Sequence, residues 1–179
     1  MPRTLFAAAL LLFAAALLLS ASLAQANPPQ DLRNPLIDYD GFARNVQEVR
    51  QLRAQRRLTE EEFLRMAREP GTVVLDARSE RLYRLRHVRG AVNLSFPEFT
   101  AETLAAVIPT RDTRVLIYCN NNFEGAPASM PTKAIGAALN VSTFVSLYTY
   151  GYRNVYELGP AVDVTRSTLE FDGIELGRS

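Results

Sequence analysis

This chain has only one cysteine and one histidine. A single cysteine excludes an internal disulfide. Cys119 and His87 stand far apart in sequence and have no ligand cluster around them, so the pattern offers no metal site. A dominant charge sign is missing too, with 20 basic residues against 19 acidic ones. No global field therefore recommends nucleic acid or an anionic membrane as a partner. Past the N-terminal segment there is no internal repeat and no low-complexity stretch. The Cys-x5-Arg pattern of a phosphate-binding loop is broken, because Gly125 stands where the arginine belongs. No residue pattern asks for a cofactor.

What is present starts with an apolar N-terminus. Arg3 gives a positive start, Leu5 to Leu19 is an unbroken Leu/Ala/Phe run, and Ala24-Gln25-Ala26 is a small-x-small cleavage site. The expectation is a signal peptide over 1–26, cleaved after Ala26, and a periplasmic or secreted mature chain starting at Asn27. The alternative is an uncleaved anchor, since the run is about long enough to span a bilayer, and only then would the membrane be a partner. Export makes the lone thiol notable: an unpaired cysteine outside the cytoplasm is either reactive or shielded.

The whole sequence is 47% apolar, and the chain beyond the N-terminal run is long enough for one domain to bury a core without staples. Asn27 to Pro35 reads as an extended tail. Phe42, Val46, Val49 and Leu52 recur at near-helical spacing, predicting a helical arm over Tyr39 to Arg57, so that 27–57 is tail plus arm and 58–179 the main domain. Arg50, Arg53, Arg56 and Arg57 cluster there and read as a solvated helix face, with a binding patch as the alternative. Thr59 with Glu62 forms a capping box for a helix ending near Arg68, before Pro70-Gly71. Thr100 to Thr103 opens another helix, with Leu104, Val107 and Ile108 inward. Buried strands are expected at Thr72–Leu75, Ala91–Leu94, Val115–Tyr118 and Asn154–Leu158. Strands alternating with helices imply an α/β fold with a central parallel sheet in a three-layer arrangement. Ala161 to Ser179 reads as irregular or a weak edge strand.

Cys119 follows the run Val115-Leu-Ile-Tyr118. A thiol at the carboxyl end of a parallel strand falls in the crevice where open α/β sheets bind ligands. The plain alternative is a small buried hydrophobe. Upstream lie Thr72-Val-Val-Leu-Asp-Ala-Arg78, a short helical stretch to His87, and Val88-Arg-Gly-Ala-Val-Asn-Leu94. Downstream come Gly151-Tyr152, Asn154-Val155 and Leu158-Gly159. This order resembles the rhodanese family over roughly Leu58 to Pro160. The resemblance implies a rhodanese-like fold and a cysteine that can carry a sulfane sulfur as a persulfide. Asp76 and Arg78, at a strand end beside the thiol's expected place, read as structural support, with direct catalysis as the alternative. For His87 the resemblance implies a packing role, with a Cys-His pair as the alternative.

The loop departs from the family pattern. Asn120, Asn121, Asn122, Phe123, Glu124 and Gly125 follow the thiol, with no glycine until Gly125 and no cation until Lys133. Asparagine tolerates left-handed backbone and offers side-chain donors, so Asn120 to Asn122 read either as an anion-binding nest or as a solvated turn. Pro127 and Pro131 delay the next helix, expected to start at Ser129 and to run in two pieces, Lys133–Leu139 and Thr143–Tyr150. Two functions stay open at this point. One is a sulfurtransferase that takes sulfur from a donor and gives it to an acceptor through Cys119. The other is a non-catalytic rhodanese-like module binding a small anion or a periplasmic protein partner.

Overall fold

The computed structural model describes Leu32 and residues 34–177, so the expected signal segment lies outside the described residues. Residues 34–38 are exposed, with a turn in which Asn34 accepts from the Leu36 amide at 2.9 Å. The domain itself begins at Tyr39.

Helix α1 spans Tyr39–Ala54 and buries Val49. It stops three residues short of the expected Arg57. The Gln55 and Arg56 amides close the last turn on Leu52 and Arg53, and Arg57–Leu58 then leaves as an edge strand, β1. Thr59 caps α2 (Glu60–Ala67) through both bonds of a capping box, 3.2 Å to the Glu62 amide and 2.8 Å back. Strand β2 (Thr72–Asp76), helix α3 (Glu80–Leu85) and the short strands β3 (His87–Val88) and β4 (Val92–Asn93) follow. Thr100 and Thr103 cap α4 (Ala101–Val107) reciprocally, and Ile108 ends it. Next come β5 (Arg114–Tyr118), β6 (Phe123–Glu124), α5 (Leu139–Thr149), β7 (Val155–Leu158), β8 (Val162–Asp163) and β9 (Phe171–Asp172).

Five strands form one parallel sheet in the order β1-β7-β5-β2-β4. Strand β5 is central and pairs with β2 over five residues. Its side chains alternate between two cores, which is why it reads as a continuous apolar run. Leu116 and Tyr118 face α2, where they meet Phe63 and Met66. Val115 and Ile117 face the other layer, with Val49 of α1, Leu104 of α4 and Phe144 of α5. The result is the expected three-layer α/β fold, a parallel sheet between helices.

Two expectations need correction. Residues 133–138 are not helical beyond a single 3-10 turn at Ile135–Ala137, and the second piece begins earlier, at Leu139, as one continuous α5. Ser129 caps nothing: its hydroxyl is buried and donates to Glu175 at 2.8 Å. The C-terminal stretch closes the domain through two short pairings, β8 parallel to β6 and β9 antiparallel to β3.

Candidate functional site

Strand β5 delivers Cys119 to the carboxyl edge of the sheet, at its middle. The backbone is extended at Cys119 and then coils into one 3-10 turn, Asn120–Asn122. That turn is locked by a reciprocal pair. The Asn122 amide donates to the Cys119 sulfur, sharing its hydrogen with the Cys119 carbonyl at 3.1 Å, and the Cys119 amide donates to Asn122 Oδ1 at 2.9 Å. Cys119 is 2% exposed and lines a cavity of about 400 Å³.

The three asparagines do not form a left-handed nest, because no non-glycine residue among those described has positive φ. They divide the work of fastening instead. Asn122 is saturated: Oδ1 also accepts from Asn140 Nδ2 at 3.0 Å, and Nδ2 donates to the Leu158 and Pro160 carbonyls at 2.8 and 3.2 Å. Asn121 clasps Lys133 from both sides, through its carbonyl and its amide. Asn120 is buried with Oδ1 unpartnered and lines a second cavity of about 320 Å³ beside Arg78 and Lys133. Phe123 packs edge-on between Tyr118 and Phe171 at 5.6 and 5.4 Å. Glu124 is exposed on β6, and Gly125 turns the chain at φ +82°, where a Cβ would press on Asp163 at 3.3 Å. None of these last three lines the Cys119 cavity.

Asp76 and Arg78 are joined away from that cavity. Both are buried, and the Arg78 guanidinium holds the Asp76 carboxylate through Nε at 2.9 Å and Nη2 at 2.5 Å. Its other donors reach the Ser129 and Arg86 carbonyls at 3.0 and 2.7 Å. Burial alone would weaken the guanidinium's hold on its proton, but the Asp76 hydrogen bond and charge outweigh it and its pKa is raised. The pair ties β2 to the loop after the thiol, a positioning role. His87 stacks on Tyr83 at 3.8 Å and its Nδ1 is engaged by the Tyr83 carbonyl at 2.9 Å, a packing role.

The cysteine cavity holds residues that sequence reasoning had left aside. Arg53 from α1 and Arg57 from β1 line it, both gripping Glu157 of β7. Glu157 is 1% exposed and lies inside the otherwise apolar Val155–Leu158 strand. A lone acid in a strand buried on both faces was the available signal that cations must converge there. The basic cluster is therefore split: Arg56 lies 4.4 Å over the Tyr156 ring, while Arg53 and Arg57 turn toward the thiol's cavity. Ala138, Asn140 and Val141 at the start of α5 form the facing wall, and Ala138 offers that helix no side-chain cap.

Compared with known proteins, residues 59–158 match the model of the rhodanese-like domain. The chain belongs to the rhodanese-like family. No curated protein sequence matches it. Among solved structures, the rhodanese-like domain of an Anabaena protein is 15% identical, covers 69% of this chain and 83% of its own, and has a TM-score of 0.46. A Bacillus halodurans protein is 15% identical, with 69% and 77% covered and a TM-score of 0.44. A rhodanese with anions from E. coli is 22% identical, with 57% and 98% covered and a TM-score of 0.38. The rhodanese-like match begins at residue 59, just after the two cavity arginines Arg53 and Arg57.

Proposed function

We propose that the protein is a sulfurtransferase that carries a sulfane sulfur on Cys119. The observation supporting this most directly is the placing of the thiol. It ends the central strand, takes a backbone N–H on its sulfur and borders an open cavity. Two steps follow without any net redox change. The Cys119 thiolate attacks the outer sulfur of a donor R–S–SH, forming Cys119–S–SH and releasing R–S⁻. An acceptor thiolate then attacks that outer sulfur, leaves as the new persulfide, and returns the Cys119 thiolate. The Asn122 amide supplies a donor for the negative charge that moves among the sulfurs. Asn121, Asn122, Asp76 and Arg78 hold the loop in place for both steps.

The test is to expose the protein to a persulfide donor, block free thiols and measure intact mass. A gain of one sulfur on wild type, absent from Cys119→Ser, supports the reading. No gain from any donor would leave the module that binds an anion or a protein partner. On its sequence, we further propose that the protein works outside the cytoplasm, with Arg3, the Leu5–Leu19 run and Ala24-Gln25-Ala26 as its export signal.

A further inference from the structure

The cavity beside Cys119 carries more positive charge than its own loop supplies. Two guanidinium groups converge on one carboxylate: Arg53 Nε and Nη2 each lie 2.8 Å from Glu157, and Arg57 Nε lies 3.2 Å from it. Arg57 Nη2 donates to the Gly159 carbonyl at 2.8 Å. Glu157 is buried and fully engaged, so it fixes the two arginines while cancelling only one of their charges. The Nη1 group of each arginine stays uncommitted among the described residues, and their side chains are 32% and 53% exposed. Free donors of this fork geometry suit a carboxylate or another oxyanion.

A second, independent feature lines the same cavity. Asn140 is 5% exposed, and its Oδ1 has no hydrogen-bond partner. Its orientation follows from its neighbour. Asn122 Oδ1 already accepts from the Cys119 amide and its Nδ2 donates to two carbonyls, so Asn140 must turn its own NH2 toward Asn122. The carbonyl oxygen of Asn140 is left wanting a donor, an arrangement that costs free energy unless something fills it.

We propose that Arg53 and Arg57 hold the carboxylate of a small amino-acid thiol, or of its persulfide, while Asn140 accepts from that molecule's N–H and its sulfur meets Cys119. This inference rests on the sulfur-carrier reading and names its substrate class. Such a compound presents both an oxyanion and an N–H; thiosulfate presents only the first, and a hydroxyalkyl persulfide neither. Helix α1, through Arg53, and the edge strand β1, through Arg57, would then complete the site.

Two experiments separate this idea from the reading beneath it. With Cys119→Ser, which removes the chemistry, equilibrium binding of cysteine and thiosulfate is measured directly. Cysteine is expected to bind, thiosulfate more weakly, and Arg53→Gln/Arg57→Gln to weaken cysteine roughly tenfold or more, the scale of a lost charge-assisted contact. With the thiol intact, sulfur loading from cysteine persulfide should fall by a similar factor in that variant. Loading from hydroxyethyl persulfide should stay within about twofold, since a purely structural defect would slow every donor alike. Arg53→Lys and Arg57→Lys keep the charge against Glu157 if the neutral variants fail to fold, and should show a smaller loss confined to the carboxylate donor. Equal binding of cysteine to Cys119→Ser with and without the arginines overturns the subsite. Binding that depends on the arginines, with no sulfur ever loaded on wild type, overturns the sulfur-carrier reading and leaves the subsite standing.

Discussion

The Tyr118 hydroxyl donates to the buried carboxylate of Asp76 at 2.6 Å, joining the last residues of β5 and β2 just below the thiol. It also accepts from the Val88 amide at 3.1 Å, so one phenol serves three segments. Burial first, and then the charge of Asp76, push the Tyr118 pKa well above the ordinary phenol value. Tyr118→Phe leaves a buried amide and a buried carboxylate short of a partner and should cost about 1–3 kcal/mol. Asp76→Ala strands the Arg78 charge in the core and should cost more, about 3–5 kcal/mol. Urea unfolding of the two variants gives both values and their order.

The same tyrosine sets an alkaline limit. A raised pKa in the fold means that its contribution is fully present below the unfolded value of about 10 and fades as pH rises through the folded one. Stability should therefore fall above about pH 10 in wild type more steeply than in Tyr118→Phe. Chemical denaturation at a series of alkaline pH values checks the slope.

Asn122 and Asn121 look interchangeable in sequence and differ in consequence. Asn122→Ala removes the bond that holds the Cys119 amide and frees the Leu158 and Pro160 carbonyls. It should destabilise the domain by about 2 kcal/mol or more, since several buried partners lose their match. Asn121→Ala opens only the exposed clasp on Lys133 and should cost under about 1 kcal/mol. A comparison of their denaturation midpoints settles which asparagine holds the loop.

How much of this was legible follows from range. The capping box at Thr59, the run at Val115–Tyr118 and the thiol's place after it are local patterns, and each reads directly. The parallel sheet follows from strand and helix alternation. The cavity's cations do not: Arg53 and Arg57 reach it only because α1 stops at Ala54 and β1 joins the sheet beside β7, a long-range pairing that no local period encodes. The fate of 133–138 was misread for a related reason. Its backbone is held by Asn121 and by a 3-10 turn rather than by an amphipathic helix.

Export gives a prediction free of the fold. Expressed with its own N-terminus in a bacterium that exports it, the mature product should start at Asn27, as read by intact mass. Recovery from membranes with the first 26 residues attached would point to an anchor.

Glu60 offers an acid-side counterpart to Tyr118. Its Oε1 accepts from the Ser167 hydroxyl at 2.7 Å, the Thr168 amide at 2.6 Å and the Thr168 hydroxyl at 2.9 Å, pinning the C-terminal stretch to the start of α2. Burial pulls its pKa upward, but those hydrogen bonds overcome it and the carboxyl titrates below its usual range. The start of a helix favours the same ionised form. A lowered folded pKa means that this contribution is present above the unfolded value of about 4.3 and is lost as pH falls through the folded one. Because the carboxylate is largely solvated, it contributes at most about 1 kcal/mol. Acid should therefore loosen residues 165–169 before the domain unfolds, while the β6–β8 and β3–β9 pairings still hold the flanking residues. Hydrogen exchange at decreasing pH should show that segment opening first in wild type. Glu60→Gln should show it several-fold less protected already near neutrality, with little further change on acidification; protection that tracks the core in both proteins would remove Glu60 as the anchor.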